Sequence, residues 1–560
     1  MELVYLWVEE YKNIQKQGFN FSPRFTCDYN DKTNKLTIDK NDDYIENFFG
    51  DNINVTAIVG KNGSGKSNIL EILFYKTKHR NKNKITFFII LFENKYYLYL
   101  FKSGELVLKK EINLDSSLDI KLIEDEIDVK NNNAKIKYDY LSIFYSNLHS
   151  EMPHSYNNKE NSFINVSTSH LTQKNGSQSF SIKNVLDMLK RTNIELPFNI
   201  PNNLLINLNC KYFKDTENET SKKIGTLQLS LKDRGNTNFY NYLIAELIYR
   251  YSDAMKIKVE DIKRVSTFDE LHTLFVNSKV NSTYLDELYQ TTEIIRSLKI
   301  TENSTIRFSI QSNTNNINEI VDLVNRLERI LPSFDVFDFN FDIRMSTGEE
   351  TFLFQFANIY NSLISKPAPF PNYPLNDSVI LMDEGETTLH PQWQKKYLSW
   401  LVSFLLKNFS EQKFHLILTS HSPFLLSDIP KQNIIFLDTD EDGKCKVLKH
   451  DEVMNKKQTF GANIHTLLSD SFFMGNGLMG EFAKGKINKI IRFLNGENKF
   501  IDFPIEQIEK VIKTIGEPFL KSKLLDMYNR RFIDDYKIRE EKRIDEQIRI
   551  LEEEREKLND

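Results

Sequence analysis

Short apolar runs rich in β-branched and aromatic residues recur through residues 1–150 and predict strands. The longest apolar window, at 85–101, is interrupted by Glu93, Asn94 and Lys95, which predicts two strands joined by a turn. A membrane span needs about 20 uninterrupted apolar residues, so a hairpin is the better interpretation. The runs that predict strands are LVYLWVEEY, KLTIDK, VTAIVG, KITFFIILF, KYYLYLF and YLSIFYS.

The pattern changes in residues 151–335, where Asn- and Ser-rich loops alternate with apolar positions at helical spacing. The clearest helical periods are NFYNYLIAELIYRYSDAM and INEIVDLVNRLERIL. These periods are too short for a long coiled-coil arm, which needs several sustained heptads. We therefore predict a helix-rich insertion between two lobes of one domain.

Strand patterns return in residues 336–440 with SVILMDE, HLILTS and NIIFLDT, which predicts the second lobe. Residues 441–515 form a further region, and residues 516–560 end the chain in a charged helix. On that helix Ile544, Ile548, Leu551 and Leu558 form one narrow apolar seam. The seam fits a partner protein or the helix's own domain equally well.

Composition narrows the class of protein. The 560 residues carry a net charge of −5, which argues against a chain coated in nucleic-acid-binding charge but allows a local basic face. The basic run at 76–84 is a candidate DNA contact or a solvated loop. Three separated cysteines give no zinc or disulfide pattern, and the first residues lack a signal-peptide pattern. We expect a cytoplasmic protein with no membrane segment.

The strongest chemical motif is AIVGKNGSGKSNILEIL, which matches the phosphate-loop pattern G-x-x-x-x-G-K-S between an apolar strand and a helix. Glycines let backbone N–H groups converge on an anion, and the helix N-terminus adds positive charge. Lys66 is expected to reach the β- and γ-phosphates of ATP, and the Ser67 hydroxyl to bind Mg²⁺. The predicted nucleotide-binding residues here are Gly60, Asn62, Gly63, Ser64, Gly65, Lys66, Ser67 and Asn68.

Two later strands end in residues that suit the same site. SVILMDE delivers Asp383 and Glu384 to a strand's carboxyl end, where α/β sheets bind ligands. Asp383 suits the Mg²⁺ shell, and Glu384 suits polarising the attacking water. HLILTSH delivers His421 to the same edge as a candidate γ-phosphate sensor, although a lone histidine is usually structural.

A small polar cluster in RMSTGEETF opens a predicted helix at Ser346. One interpretation is a helix N-cap box, which needs only one chain. The other is an anion site, because a serine and a glycine at a helix N-terminus offer donors and positive charge.

Together these motifs resemble the ATP-binding-cassette (ABC) superfamily, in particular its SMC-like soluble branch with OLD-type ATPases. GKNGSGKS resembles the phosphate loop, VILMDE the Walker B strand with its glutamate, GETTLHP the D-loop, ILTSHSP the histidine switch and MSTGEE the signature. The resemblance implies an α/β fold: an ABC-type P-loop ATPase head with a mixed core sheet flanked by helices, an antiparallel β subdomain, the helix-rich insertion and a helical C-terminal extension. It also implies a head-to-tail dimer or higher oligomer, in which Ser346, Gly348 and Glu349 contact nucleotide bound to the partner. The glutamine of the family's Q-loop has no counterpart after YLSIFYSN.

Finer features resemble the PtuA-type ATPases of Septu antiphage systems, including those attached to retrons. The segment from 458 onward, QTFGANIHTLLSDSFFMGNGLMGEFAKGKINKII, and the opening strands carry this resemblance. It implies a sensor and scaffold that regulates a separate HNH nuclease, together with a retron reverse transcriptase and its DNA and RNA in some systems. The ten histidines show no HNH cluster, so we expect nuclease activity to come from the partner.

Other classes fit less well. A DNA-repair or chromosome-associated clamp without a nuclease partner is the main alternative, and a transporter subunit has no place for the insertion. An OLD-type nuclease would need a Toprim domain after the switch, for which too little chain follows. Asp438, Asp440 and Asp442 mimic the start of an EF-hand, but Lys449 stands at position 12, so a hairpin turn is the better interpretation.

Overall fold

The structure is a computed structural model of the chain. It describes residues 2–42, 44–75, 84–92, 94–102, 105–114, 118–119, 141–146, 163–167, 179–192, 196–208, 305–310, 337–364, 377–448, 458–465, 479–497 and 507–533, with parts of 318–326 and 541–549 and a few single positions.

A seven-stranded sheet forms the centre of the fold, and six of its strands run parallel. All seven residues of its Walker B strand are buried, as expected for a parallel strand with both faces covered. In order across the sheet, the strands are β11 (Phe163–Asn165), β10 (Leu141–Ser146), β15 (Asp377–Asp383), β16 (Lys413–Thr419), β5 (Ile53–Gly60), β17 (Ile434–Thr439) and antiparallel β18 (Cys445–Val447).

Helices cover both faces of this sheet because neighbouring strand residues point to opposite sides. Ile58 packs with Ile69 and Leu70 of helix α1, whereas Ala57 belongs to the cluster on the other face. That second face is covered by three longer helices. The helices are α1 (Lys66–Tyr75), α2 (Ser179–Arg191), α3 (Thr347–Ile364), α4 (Pro391–Asn408) and the short α5 (Pro423–Ser427), which precedes a 3-10 turn at Lys431–Asn433.

An antiparallel five-stranded sheet and a small three-stranded sheet lie within residues 2–119, and all six strands predicted in residues 1–150 are confirmed, two of them in the seven-stranded sheet. The apolar window at 85–101 is the predicted hairpin. The five-stranded sheet has the order β2 (Ile14–Asn20), β1 (Glu2–Tyr11), β6 (Ile85–Phe92), β7 (Lys95–Lys102), β8 (Glu105–Ile112); the smaller one has β3 (Phe25–Asn30), β4 (Lys35–Lys40), β9 (Leu118–Asp119).

A buried histidine on strand β16 joins the seven-stranded sheet to the five-stranded sheet. His415 Nδ1 accepts a hydrogen bond from the Leu3 N–H at 2.9 Å, and Nε2 lies 2.9 Å from Thr56 Oγ1. Thr56 donates its own proton to the Phe21 carbonyl at 2.6 Å, so the imidazole carries its proton on Nε2 and donates to Thr56. Burial lowers the pKa of His415 to about 3, which keeps the ring neutral.

A three-stranded sheet that the sequence pattern did not indicate has two of its strands within residues 151–335 and the third at 337–341, just after them. Its strands are β13 (Thr305–Ser309), β12 (Asn203–Leu208) and β14 (Phe337–Phe341), all antiparallel. They are short and far apart in sequence, so no local pattern reveals their pairing. The described residues of 318–326 are helical as predicted, while the helix predicted at 238–255 lies outside the described residues.

The chain divides into two compact units, Met1–Phe473 and Met474–Asp560. The second unit has its own apolar core, which includes Ile487, Ile490 and Ile512. Its elements are α6 (Glu481–Leu494), α7 (Ile508–Lys513), α8 (Pro518–Tyr528) and a π-helical turn at Asn529–Ile533. The boundaries predicted after residues 150, 335, 440 and 515 stay predictions.

Among the described helices, none is both long and apolar enough to span a membrane.

Candidate functional site

The phosphate loop joins strand β5 to helix α1 and depends on its glycines. Gly63 and Gly65 have φ of +78° and +104°, which residues with side chains rarely adopt. A Cβ atom on Gly60 would lie 2.5 Å from the Leu437 carbonyl oxygen and 2.6 Å from Ser64 Oγ, so this position also excludes a side chain. Asn62 is exposed at the tip of the loop.

Lys66 begins helix α1 with its ammonium folded back over the loop. Nζ donates to the Gly60 carbonyl at 3.1 Å and to the Lys61 carbonyl at 3.3 Å. Burial lowers the pKa of Lys66, while Glu384 and Asp383 oppose that shift. The Ser64 hydroxyl is fully buried and has no hydrogen-bond partner within the described part of the chain. A buried hydroxyl without a partner and a lysine held at a helix start both fit a phosphate ligand.

Asp383 lies where strand β15 ends, and two hydroxyl groups converge on it. Ser67 Oγ donates to Asp383 Oδ1 at 3.2 Å, and Thr419 Oγ1 donates to the same oxygen at 2.6 Å. The parallel register places two residues level with Asp383, which are Thr419 on strand β16 and Ser146 on strand β10. A carboxylate and a hydroxyl are hard oxygen donors of the kind that Mg²⁺ prefers, so Ser67 and Asp383 fit that ion.

Glu384 follows in a strained backbone conformation. Its φ is +50°, which is uncommon for a residue with a side chain and is often found at functional sites. Its N–H is shared between the Thr419 carbonyl at 3.2 Å and Thr419 Oγ1 at 3.1 Å. The strand end of β16 therefore holds the turn in which Glu384 lies.

His421 lies beside Glu384, with Nε2 3.5 Å from Glu384 Oε1. Burial and the Lys66 ammonium lower the pKa of His421, against the opposing effect of Glu384 and Asp383. The imidazole is thus mainly neutral at pH 7 and can donate one hydrogen bond and accept another. The structure brings Lys66, Asp383, Glu384 and His421 together at the carboxyl edge of the sheet.

The cluster at 346–349 forms a reciprocal capping box. The Ser346 N–H donates to Glu349 Oε2 at 2.8 Å, and the Glu349 N–H donates to Ser346 Oγ at 3.3 Å. A Cβ on Gly348 would lie 3.1 Å from the Thr388 carbonyl in the turn after Walker B. The predicted helix N-cap box is therefore present within this chain. Ser346 is also exposed to solvent. A contact with a second chain's nucleotide stays a prediction.

Asn13 supports the phosphate loop and was missed by the sequence analysis. Its Nδ2 donates to the Gly63 carbonyl at 2.7 Å, and its Oδ1 accepts from Asn68 Nδ2 at 2.7 Å. Its own carbonyl accepts the Cys445 N–H at 2.8 Å. Asn13 lies 50 residues from the loop in a turn between two strands, where an asparagine gives no functional signal.

Glu386 is the second missed residue, a carboxyl group only 3% exposed. It accepts a short hydrogen bond from the Ser420 hydroxyl, which in turn accepts the Ser422 N–H at 2.9 Å. The Ser422 hydroxyl lies 2.9 Å from Gln394 Oε1 on helix α4. This chain of hydrogen bonds fastens the turn after Walker B to the loop that carries His421. Burial raises the pKa of Glu386 to about 7.

The acidic run at 438–442 is the predicted hairpin turn between strands β17 and β18. Asp440 Oδ1 accepts the N–H groups of Asp442 at 3.0 Å and Lys444 at 2.8 Å, which closes the turn. Asp438 pairs with Lys61 of the phosphate loop at 3.0 Å. Of the predicted Q-loop region, Ser146 lies level with Asp383, and Asn147 is outside the described residues.

The parallel sheet, the phosphate loop and the acidic strand end next to it define a P-loop ATPase head of the α/β class. The chain belongs to the family described as "AAA domain, putative AbiEii toxin, Type IV TA system", whose family model matches residues 55–427. That match covers the loop, the Walker B strand and the histidine loop.

Among solved structures, the chain is similar to the recombination mediator protein RecF, described as "RecF-ATPrS in RecFOR pathway". Sequence identity is 12% over 80% of this chain and 98% of that chain, with a TM-score of 0.26. The fold class therefore rests on the strand order and register of this chain itself.

Proposed function

We propose that the chain is an ABC-type ATPase that hydrolyses ATP with Mg²⁺, pairs head to tail through the nucleotide, and regulates a separate HNH nuclease in antiphage defence. The observation that supports the ATPase role most strongly is the meeting of Lys66, Asp383, Glu384 and His421 at one sheet edge. The regulatory role rests on the resemblance to PtuA-type ATPases.

Each group has a distinct task. The Lys66 ammonium and the backbone N–H groups of the loop would bind the phosphates, and Ser67 with Asp383 would hold Mg²⁺. When bound, the ion neutralises charge on the phosphate oxygens. Glu384 orients and polarises the attacking water, and the neutral His421 donates one hydrogen bond to the γ-phosphate side of the site.

Glu384→Gln tests the hydrolytic role. We expect it to leave ATP binding intact and to slow phosphate release at least about 100-fold, because the amide cannot accept a proton from water. Lys66→Ala should abolish ATP binding, and Glu441→Gln, in the exposed β17–β18 turn, is the matched control. Fluorescent-nucleotide binding and phosphate release are measured on all three. Unchanged turnover in Glu384→Gln would rule out the assignment.

Ser346→Arg tests head-to-tail pairing. A long cation at this exposed position should prevent ATP-dependent dimerisation and turnover while leaving ATP bound at the chain's own Lys66. An equal mixture of Ser346→Arg and Lys66→Ala chains should recover part of the turnover, since a mixed dimer contains one complete site. If the mixture stays inactive while each variant is folded, or if a monomer hydrolyses ATP at full rate, the cluster is only a helix cap.

The nuclease partnership is tested by co-expression with the product of a neighbouring HNH gene. We expect co-purification, and phage protection that needs both proteins and an intact Lys66. The described part of the C-terminal seam gives a docking test, because Ile544 and Ile548 are each 48% exposed. Charged substitutions there should release the partner without changing ATP turnover.

A second candidate function follows from the description of the matched family, which names a toxin of a type IV toxin–antitoxin system. In that case, expression of this chain alone should arrest growth, and Lys66→Ala should relieve the arrest. A sensor that acts only through a nuclease partner should leave growth unchanged when expressed alone.

A further inference from the structure

Two helices of the second compact unit begin with the same residue pattern. Helix α6 carries Phe482-Ala-Lys484-Gly-Lys486 and helix α8 carries Phe519-Leu-Lys521-Ser-Lys523. In each, the phenylalanine is the second helical residue, and the second lysine follows one helical turn later. Positions four apart lie on the same face of a helix, so each helix presents one aromatic ring with a lysine beside it.

Neither ring takes part in folding the unit. Phe482 is 81% exposed and Phe519 is 76% exposed, more than any other large apolar side chain in the described part of the molecule. The unit's core is built instead from other positions of the same helices, such as Ile490 and Leu524. One exposed apolar residue is ordinary, but the same exposed ring with the same lysine spacing on two helices favours a binding role for these residues.

The described helical segments that carry the rings are basic, whereas the whole compact unit Met474–Asp560 has 18 lysines and arginines and 18 aspartates and glutamates. Residues 479–497 and 507–533 contain ten lysines and arginines and five acidic residues, a net charge of +5 in a protein of net charge −5. Lys486 Nζ lies 5.8 Å from the centroid of the Phe482 ring, and Lys484 pairs with the exposed Glu481 at 3.3 Å. Exposed ion pairs contribute little stability, so phosphate groups can replace such a carboxylate.

From this combination we propose that the Phe-Lys starts of helices α6 and α8 bind single-stranded nucleic acid. Flat aromatic rings stack on unpaired bases, and lysines beside them neutralise the neighbouring phosphates. In a duplex the base faces are stacked on one another and out of reach of the rings, so single strands are favoured. These residues belong to a different compact unit from the residues of the ATP site, and the proposal does not depend on the nuclease partnership.

The full-length protein is titrated into fluorescein-labelled oligo-dT and oligo-U of about 20 nucleotides, and into a duplex of the same length, with anisotropy as readout. We expect preference for the single strands and affinity that falls steeply between about 50 and about 200 mM salt. Phe482→Ala and Phe519→Ala should each weaken binding about tenfold. The charge reversals Lys484→Glu and Lys486→Glu should weaken binding and reduce its salt dependence.

Phe460→Ala is the matched control, since Phe460 is a phenylalanine 57% exposed in the other compact unit, and it should leave the affinity unchanged. Glu384→Gln should also bind oligonucleotide normally, which separates this proposal from the assignment of the hydrolytic site. The proposal is overturned if the protein does not bind single-stranded oligonucleotide at low salt, or if it binds the duplex with equal affinity. It is also overturned if the Phe482→Ala and Phe519→Ala proteins bind oligonucleotide as well as wild type does, or if polyglutamate displaces the labelled strand as effectively as unlabelled oligonucleotide does. The last result would point to an acidic protein segment instead.

Discussion

Above pH 7 and without nucleotide, the Glu386→Gln variant should be more stable to unfolding than the wild-type protein. Glu386 is buried and accepts a hydrogen bond from Ser420, and the carbonyl oxygen of glutamine can accept the same bond in nearly the same volume. The substitution therefore removes mainly the ability to ionise. Because burial raises the pKa of Glu386 from 4.5 to about 7, the folded protein holds this proton more tightly than the unfolded chain does.

The sign and size of the effect follow from these two pKa values. The contribution of protonated Glu386 to the free energy of unfolding is fully present below pH 4.5 and is lost as the pH rises towards about 7. The difference of about 2.5 pKa units, at about 1.4 kcal/mol each, corresponds to about 3 to 4 kcal/mol. The difference in the free energy of unfolding between Glu386→Gln and wild type should thus grow from near zero in acid to about 3 to 4 kcal/mol above pH 7.

Urea unfolding between about pH 5 and about pH 8 measures this difference. Trp393 and Trp400 on helix α4 report unfolding of the unit that contains Glu386. Glu441→Gln removes a carboxylate from an exposed turn and should show no pH-dependent difference. A Glu386→Gln protein that is no more stable than wild type at pH 8 would refute the reasoning about burial.

Two further predictions test how the site is positioned. Gly60→Ala should weaken ATP binding more than about tenfold in a nucleotide titration, because its Cβ would lie 2.5 Å from the Leu437 carbonyl oxygen. Gly480→Ala is the control and should leave ATP binding unchanged, because a Cβ there meets open space. Normal ATP affinity in Gly60→Ala would contradict the tight packing of the loop. Thr56→Val should lower the free energy of unfolding by about 1–3 kcal/mol in the same urea assay, because it leaves the buried Nε2–H of His415 and the Phe21 carbonyl without partners. Thr37→Val, at an exposed position with one hydrogen bond to the Asp28 carbonyl, serves as its control, and an equal loss in both variants would show that the buried network has no special weight.

The parts of the fold predicted from sequence are those whose signal is local. Strand β5, the phosphate loop and helix α1 follow one another within 23 residues, and glycine, lysine and helix propensity act over that distance. The hairpin at 85–102 was equally readable, since a turn interrupts two apolar runs. The capping box at Ser346 belongs here too, because its two partners are three residues apart.

The three-stranded sheet of β12, β13 and β14 could not be predicted from such local signals. Strand β12 pairs with β13, which begins about a hundred residues later, and nothing in either short run specifies the other. Asn13 was missed for the same reason. Its role comes from a hydrogen bond to Gly63, across 50 residues, and an asparagine in a turn is common.

The chemical groups of the site, and the strand ends that carry them, follow from the order of the amino acids. The neighbours of these groups depend on the packing of the folded chain. Parallel pairing set Thr419 beside Asp383, packing buried Glu386 against Ser420, and the neighbouring helix placed Gln394 near Ser422. These contacts depend on how distant segments pack and on the exclusion of water, which shifts the pKa of a buried carboxyl group in a way that no local pattern specifies.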